Sequence, residues 1–139
     1  MYRILMAVDE HADRARKQAA YVAGLPGRDE IEVSVVHAWT GDLDRVPEEA
    51  IGTQTVDHVE SVRVAVDRLA DHGIEHEVID GAGEPADLLL AVADEESPDE
   101  IVMSRGKQSP VGKAVFGSVT QRVMLNVDVP VVVVSPSGA

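Results

Sequence analysis

The chain has 139 residues, 45% of them hydrophobic, with 25 acidic residues against 12 basic ones and a formal net charge of −13. That length buries one core, so a single domain over residues 1–139 is expected. The absence of cysteine excludes disulfides, thiolate metal centres and thiol catalysis, and the acid excess argues against a DNA-binding face, which needs clustered Lys and Arg.

Residues 2–8 read as a first strand, ended by Asp9 and Glu10. A helix is expected over 11–23, with Ala12, Ala15, Ala19 and Val22 on one face, stopped by Gly24 and Gly27. Residues 31–38 form a second strand, and the polar stretch 40–47, with Asp42, Asp44 and Arg45, reads as a surface loop. A long helix follows over 48–72, because Val56, Val59, Val62, Val66 and Leu69 recur at spacings of three and four, and Gly73 caps it. Residues 75–79 give a third strand, 80–83 a turn, and Pro85 opens a helix to Glu96 at the favoured first position.

The run from 100 to 134 is the most informative. Residues 101–104 are a short strand, and Arg105 to Gly112 is a loop with Gly106, Pro110 and Gly112. Gly117 and Ser118 fall in an apolar-periodic stretch, and Val131 to Val134 is a β-branched run of the kind buried on both faces of a sheet. Glycine-rich turns and helix N-termini present unsatisfied N–H groups to phosphate. The same glycines also serve a loop that turns a strand into a helix and binds nothing.

Strands and helices alternate throughout, which predicts an α/β fold: a doubly wound, five-stranded parallel sheet with helices on both faces. No apolar run approaches the roughly 20 residues of a membrane span, and the start, MYRILMAVDE, shows no export-signal pattern, so a cytoplasmic location is expected. Three lysines stand beside nine arginines among many carboxylates. Self-repulsion on this scale is relieved where salt screens it, the Debye length falling to about 3 Å at 1 M. A halophilic source and salt-dependent folding are therefore expected.

Ligands of such sheets sit at the carboxyl ends of the strands, where the strand order reverses. This gathers Asp9, His37 with Ala38, Gly81 to Gly83, and the loop of Ser104, Arg105, Gly106 and Lys107. Asp9 serves either as a ligand or as a helix N-cap. His37 continues an apolar strand and reads as a structural histidine, while His11, His58, His72 and His76 lack zinc-type spacing. Ser109 and Ser118 have no base in a recognisable motif, and Trp39 and Phe116 read as packing residues. No catalytic or metal residue is assigned.

AVDEHADRARKQA, VVHAW, DGAGEPADLLL and SPVGKAVFGSVTQRVMLNVDVPVVVV together resemble the universal stress proteins over essentially the whole chain. The resemblance implies a cytoplasmic stress-response or signalling module, homodimeric, of a family in which some members bind ATP and others do not. A halophilic archaeal member fits the charge. In ATP-binding members a glycine, two residues, a glycine and nine residues precede Gly-Ser or Gly-Thr. Counting back from Gly117 and Ser118 puts Lys107 and Ser104 at the first two glycine positions, with Gly106 out of register. ATP is thus expected to bind weakly or not at all, since a Cβ obstructs the backbone that wraps the phosphates. The resemblance places Asp9 and Ala38 on the adenosine side and Gly117, Ser118, Val119 and Thr120 at the phosphate side, with Arg105 and Lys107 as compensating charges. The dimer is expected to form through Val131 to Val134, an edge without Lys or bulge. A nucleotide-hydrolysing or nucleotidyl-transferring enzyme is the alternative.

Overall fold

The computed structural model describes residues 1–39, 60–104 and 117–134. Strands β1 (Tyr2–Ala7), β2 (Ile31–Trp39), β3 (Glu75–Ala82), β4 (Glu100–Ser104) and β5 (Val131–Val134) alternate with helices α1 (Ala12–Ala23), α2 (Glu60–Asp71), α3 (Pro85–Glu96) and α4 (Ser118–Asn126). The strands form one parallel sheet in the order β3-β2-β1-β4-β5. The expected α/β architecture is present.

Side-chain alternation along the strands gives the sheet two apolar faces. Ile4, Met6, Val33, Val35 and Val102 pack against Ala15, Ala19 and Val22 of α1 and Val62, Ala65 and Leu69 of α2. Leu5, Val36, Ile101 and Met103 pack against Leu89 and Val92 of α3 and Val123 of α4. An ion pair between Asp87 and Arg122 ties α3 to α4.

The helix ends follow local rules. After α2, Gly73 adopts φ +68°, its N–H donates to Ala70, and the Ile74 N–H reaches back to Leu69 at 3.0 Å. This is a Schellman cap, and it confirms the stop read at Gly73. Pro85 is the first residue of α3. The first half of the long helix expected over 48–72 lies outside the described residues, as does the loop at 40–47.

Several boundaries differ from expectation. The turn placed at 80–83 begins only at Gly83, which has φ +115°. Asp80, Gly81 and Ala82 continue β3 because the long β2 offers them ladder partners in His37, Ala38 and Trp39. Gly81 is small for packing: a Cβ there would lie 3.0 and 3.2 Å from the Leu88 methyls. Gly117 is the N-cap of α4, in extended conformation, with Ser118 the first helical residue. Val131 to Val134 are each only partly buried, because among the described residues β5 is an edge strand bonded to β4 alone. The β-branched run thus reflects strand preference more than two-sided burial.

At the amino ends of the strands, Glu100 is 5% exposed. The Tyr2 hydroxyl donates to its Oε1 at 2.7 Å and the Tyr21 hydroxyl to its Oε2 at 3.3 Å, so two neutral donors hold a buried carboxylate. The hydrogen bond to Glu100, with burial and the Glu100 charge, pushes Tyr2 up to about 12, and burial beside the same carboxylate raises Tyr21. Folding favours the neutral phenols, so their contribution is complete below pH 10.0 and is lost as pH rises towards about 12. Since the chain has two tyrosines, tyrosinate absorbance reports this cluster alone. Both should ionise above the ordinary range, and Glu100→Gln should bring them down towards it. Unchanged titration in that variant would refute the assignment.

Candidate functional site

The sheet order makes β1 a neighbour of both β2 and β4, so the chain winds away in opposite directions from the β1–β4 boundary. The helices that follow these two strands, α1 and α4, pack on opposite faces of the sheet, and a ligand crevice is expected at the carboxyl ends of strands at such a boundary. The structure puts Asp9 just beyond β1, Ser104 at the end of β4, and Gly117, Ser118, Val119 and Thr120 at the start of α4. Ala38 lies on β2, paired with Gly81 of β3. Arg105, Gly106 and Lys107 lie outside the described residues.

Asp9 is held from two sides. Its Oδ1 accepts the His11 N–H and its Oδ2 accepts from Arg14, each at 2.8 Å. The first contact spans two residues and is an Asx-type turn. The N-cap of α1 is His11, so Asp9 braces the turn before the helix rather than capping it. A carboxylate has about four acceptor positions. Two are in use, and Asp9 is 39% exposed while Arg14 is 18% exposed. The carboxylate is therefore oriented, partly solvated and able to accept two further donors.

The backbone around Asp9 is pinned as well. The Val8 N–H bonds Val36 of β2 at 2.9 Å, His37 Nδ1 meets the Val8 carbonyl at 2.9 Å, and the Ser61 hydroxyl donates to the Asp9 carbonyl at 2.5 Å. Nδ1 can bond a carbonyl only by donating, which makes His37 the buried structural histidine that was expected. Ser61, on the first turn of α2, fastens that helix to the rim of the crevice.

On the other rim, α4 starts at Gly117 without a side-chain cap. The first N–H groups of a helix have no intrahelical partner and carry the positive end of its dipole. Ser118 is exposed there, Val119 is half-buried and Thr120 is buried at 5% exposure. Thr120 therefore presents its backbone more readily than its side chain. Among the described residues, no three His, Asp or Glu side chains gather as a metal would require.

Arg14, Gln18 and Ser61 are site residues that the sequence reading did not select. Gln18 and Ser61 are polar positions on otherwise apolar helix faces, fully buried beside Ala15, Ala19 and Val22 in one case and Val62, Ala65 and Leu69 in the other. A polar residue on a buried stripe was the available signal. Arg14 carried no signal apart from its distance of five residues from Asp9.

The fold recurs in proteins of known structure. A universal stress protein from Archaeoglobus fulgidus is 29% identical, with a TM-score of 0.74 covering 96% of this chain and 98% of that one. A universal stress protein from the same organism, solved in complex with dAMP, is 27% identical, with a TM-score of 0.70 over the same shares. A universal stress protein of Mycolicibacterium smegmatis is 35% identical over 71 residues, 50% of this chain and 55% of the relative. The chain thus spans about half the length of the curated relative it matches. The sequence model of the Universal stress protein family matches residues 1–135, all five strands and both rims of the crevice included, and the chain accordingly belongs to that family.

Proposed function

We propose that this protein is a non-catalytic binding module of the stress response whose ligand is an adenine mononucleotide seated between Asp9 and the start of α4. The observation that carries this reading is the dAMP complex of a relative 27% identical over nearly the whole chain. Here the corresponding crevice combines an oriented carboxylate with an uncapped helix N-terminus, which suits a nucleoside at one rim and a phosphate at the other. A mononucleotide also fits the loss of two motif glycines, because the longer phosphate chain of ATP depends on that backbone cradle. Turnover is not expected, since His37 is buried and among the described residues no group of His, Asp or Glu gathers to hold a metal.

The test is direct. The purified protein is denatured, the released small molecules are separated by chromatography, and the emptied protein is titrated calorimetrically with AMP. Release of an adenine nucleotide, or saturable AMP binding, is expected; neither would sink the reading.

The protein is further proposed to act as a homodimer in a cytoplasm of high ionic strength. Among the described residues no helix is long and apolar enough to cross a membrane. The unpaired edge of β5 supports antiparallel pairing of two copies across a two-fold axis, the usual isologous arrangement. Val132→Lys and Val133→Lys place a charge on opposite faces of that edge. At least one should give a monomer by light scattering, and a monomeric wild type at micromolar concentration would refute the interface. The net charge of −13 predicts a melting temperature that climbs from dilute buffer to molar KCl. A flat profile would remove the argument for a saline cytoplasm.

A further inference from the structure

Gln18 sits on the apolar stripe of α1 and is fully buried. Its Nε2 donates to the carbonyl of Ala7 at 2.6 Å and to that of Val102 at 3.2 Å. These carbonyls belong to β1 and β4, the two strands that border the crevice. The Val8 N–H points to β2, where it bonds Val36. Strand alternation then turns Ala7 towards β4. The β1–β4 register runs through Ile4 with Glu100, Leu5 with Ile101 and Met6 with Val102, and there it stops. Continued in register, the ladder would bring the Ser104 amide to the Ala7 carbonyl; the Gln18 amide bridges that carbonyl and the Val102 carbonyl across the two strands at this point.

An amide has two hydrogens, and Gln18 uses both. Its Oε1 is buried and has no hydrogen-bond partner among the described residues. An apolar side chain of similar length would avoid that unsatisfied acceptor. Departures from local stability rules of this kind are expected where geometry serves function.

From this arrangement we infer that Gln18 is a positioning residue, a wedge that ends the β1–β4 ladder after Met6 and Val102 and holds the Asp9 rim of the crevice apart from the Ser104 rim. The consequence for binding rests on the nucleotide reading above, whereas the wedge itself does not. Without the bridging amide the two strand ends close on each other, the ladder extends by a step and the crevice narrows at its floor.

Gln18→Met and Gln18→Leu in the full chain test this, with AMP as the probe. AMP affinity should fall by about tenfold or more while the melting midpoint stays level or rises. Nuclear Overhauser contacts between Val8 and Ser104 should appear that the wild type lacks. A lowered midpoint with unchanged affinity and no new contacts would make Gln18 merely structural, and so would unfolding of both variants. Should the wild type bind no AMP, the nucleotide reading fails by itself. The Val8–Ser104 contacts then decide the wedge, their appearance in the folded variants supporting it and their absence overturning it.

Discussion

Asp9→Ala should weaken AMP binding by roughly 10- to 100-fold, the range expected for losing a hydrogen bond to a charged acceptor. The carboxylate offers two open acceptor positions at the crevice, and its orientation is already set by the His11 N–H and Arg14. Little ordering is left for the ligand to supply. The same substitution strips Arg14 of its partner, and because Arg14 is only 18% exposed, water relieves that loss incompletely. A stability decrease of about 1 kcal/mol is expected. Asp9→Asn separates the two effects, since its side-chain oxygen can still accept from His11 while the charge is gone. Calorimetry with AMP beside a thermal melt reads both. Unchanged affinity in the alanine variant would remove Asp9 from the site.

The double replacement Ser104→Gly and Lys107→Gly should tighten ATP binding by about tenfold, with no matching gain for adenosine. Restoring glycine at both motif positions gives the loop the residue type that the ATP-binding pattern of the family has there, without a Cβ. Ser104 closes β4 opposite Val134 of β5, so its replacement also loosens a strand end, at a cost of about 0.5–1 kcal/mol in stability. A parallel denaturation curve keeps that loss distinct from the change in affinity. Calorimetry must be run at matched salt, because screening weakens charge-based binding of phosphate. Tight ATP binding by the wild type that disappears in the double variant would identify Lys107 as a phosphate ligand and overturn the steric account.

The elements were legible where the sequence carries punctuation. Pro85 marks the start of α3 and Gly73 the end of α2, because each residue type satisfies a backbone condition that others meet poorly. The end of β3 was misplaced for a corresponding reason. Gly81 looks like a turn residue locally, but its partner strand extends far enough to keep pairing it, and Leu88 explains the missing side chain. At the site, Asp9 was identifiable from the strand end and the family pattern. Its partners Arg14 and Ser61 were not, since they meet that rim only once α1 and α2 have formed and packed.

The sequence by itself determined the alternating α/β class, the acidic character, the absence of thiol chemistry and the residues that resemble a nucleotide site. These depend on composition, local periodicity and short motifs, which require no knowledge of distant partners. Tertiary structure alone decided that β1 lies between β2 and β4, that β5 is only partly buried, and that Gln18 bonds both strands at the crevice floor. Strand order, strand burial and a hydrogen bond between residues 84 positions apart arise from long-range pairing. Hydrophobic patterns specify which face of a strand is buried, but they leave open which strand will be its neighbour.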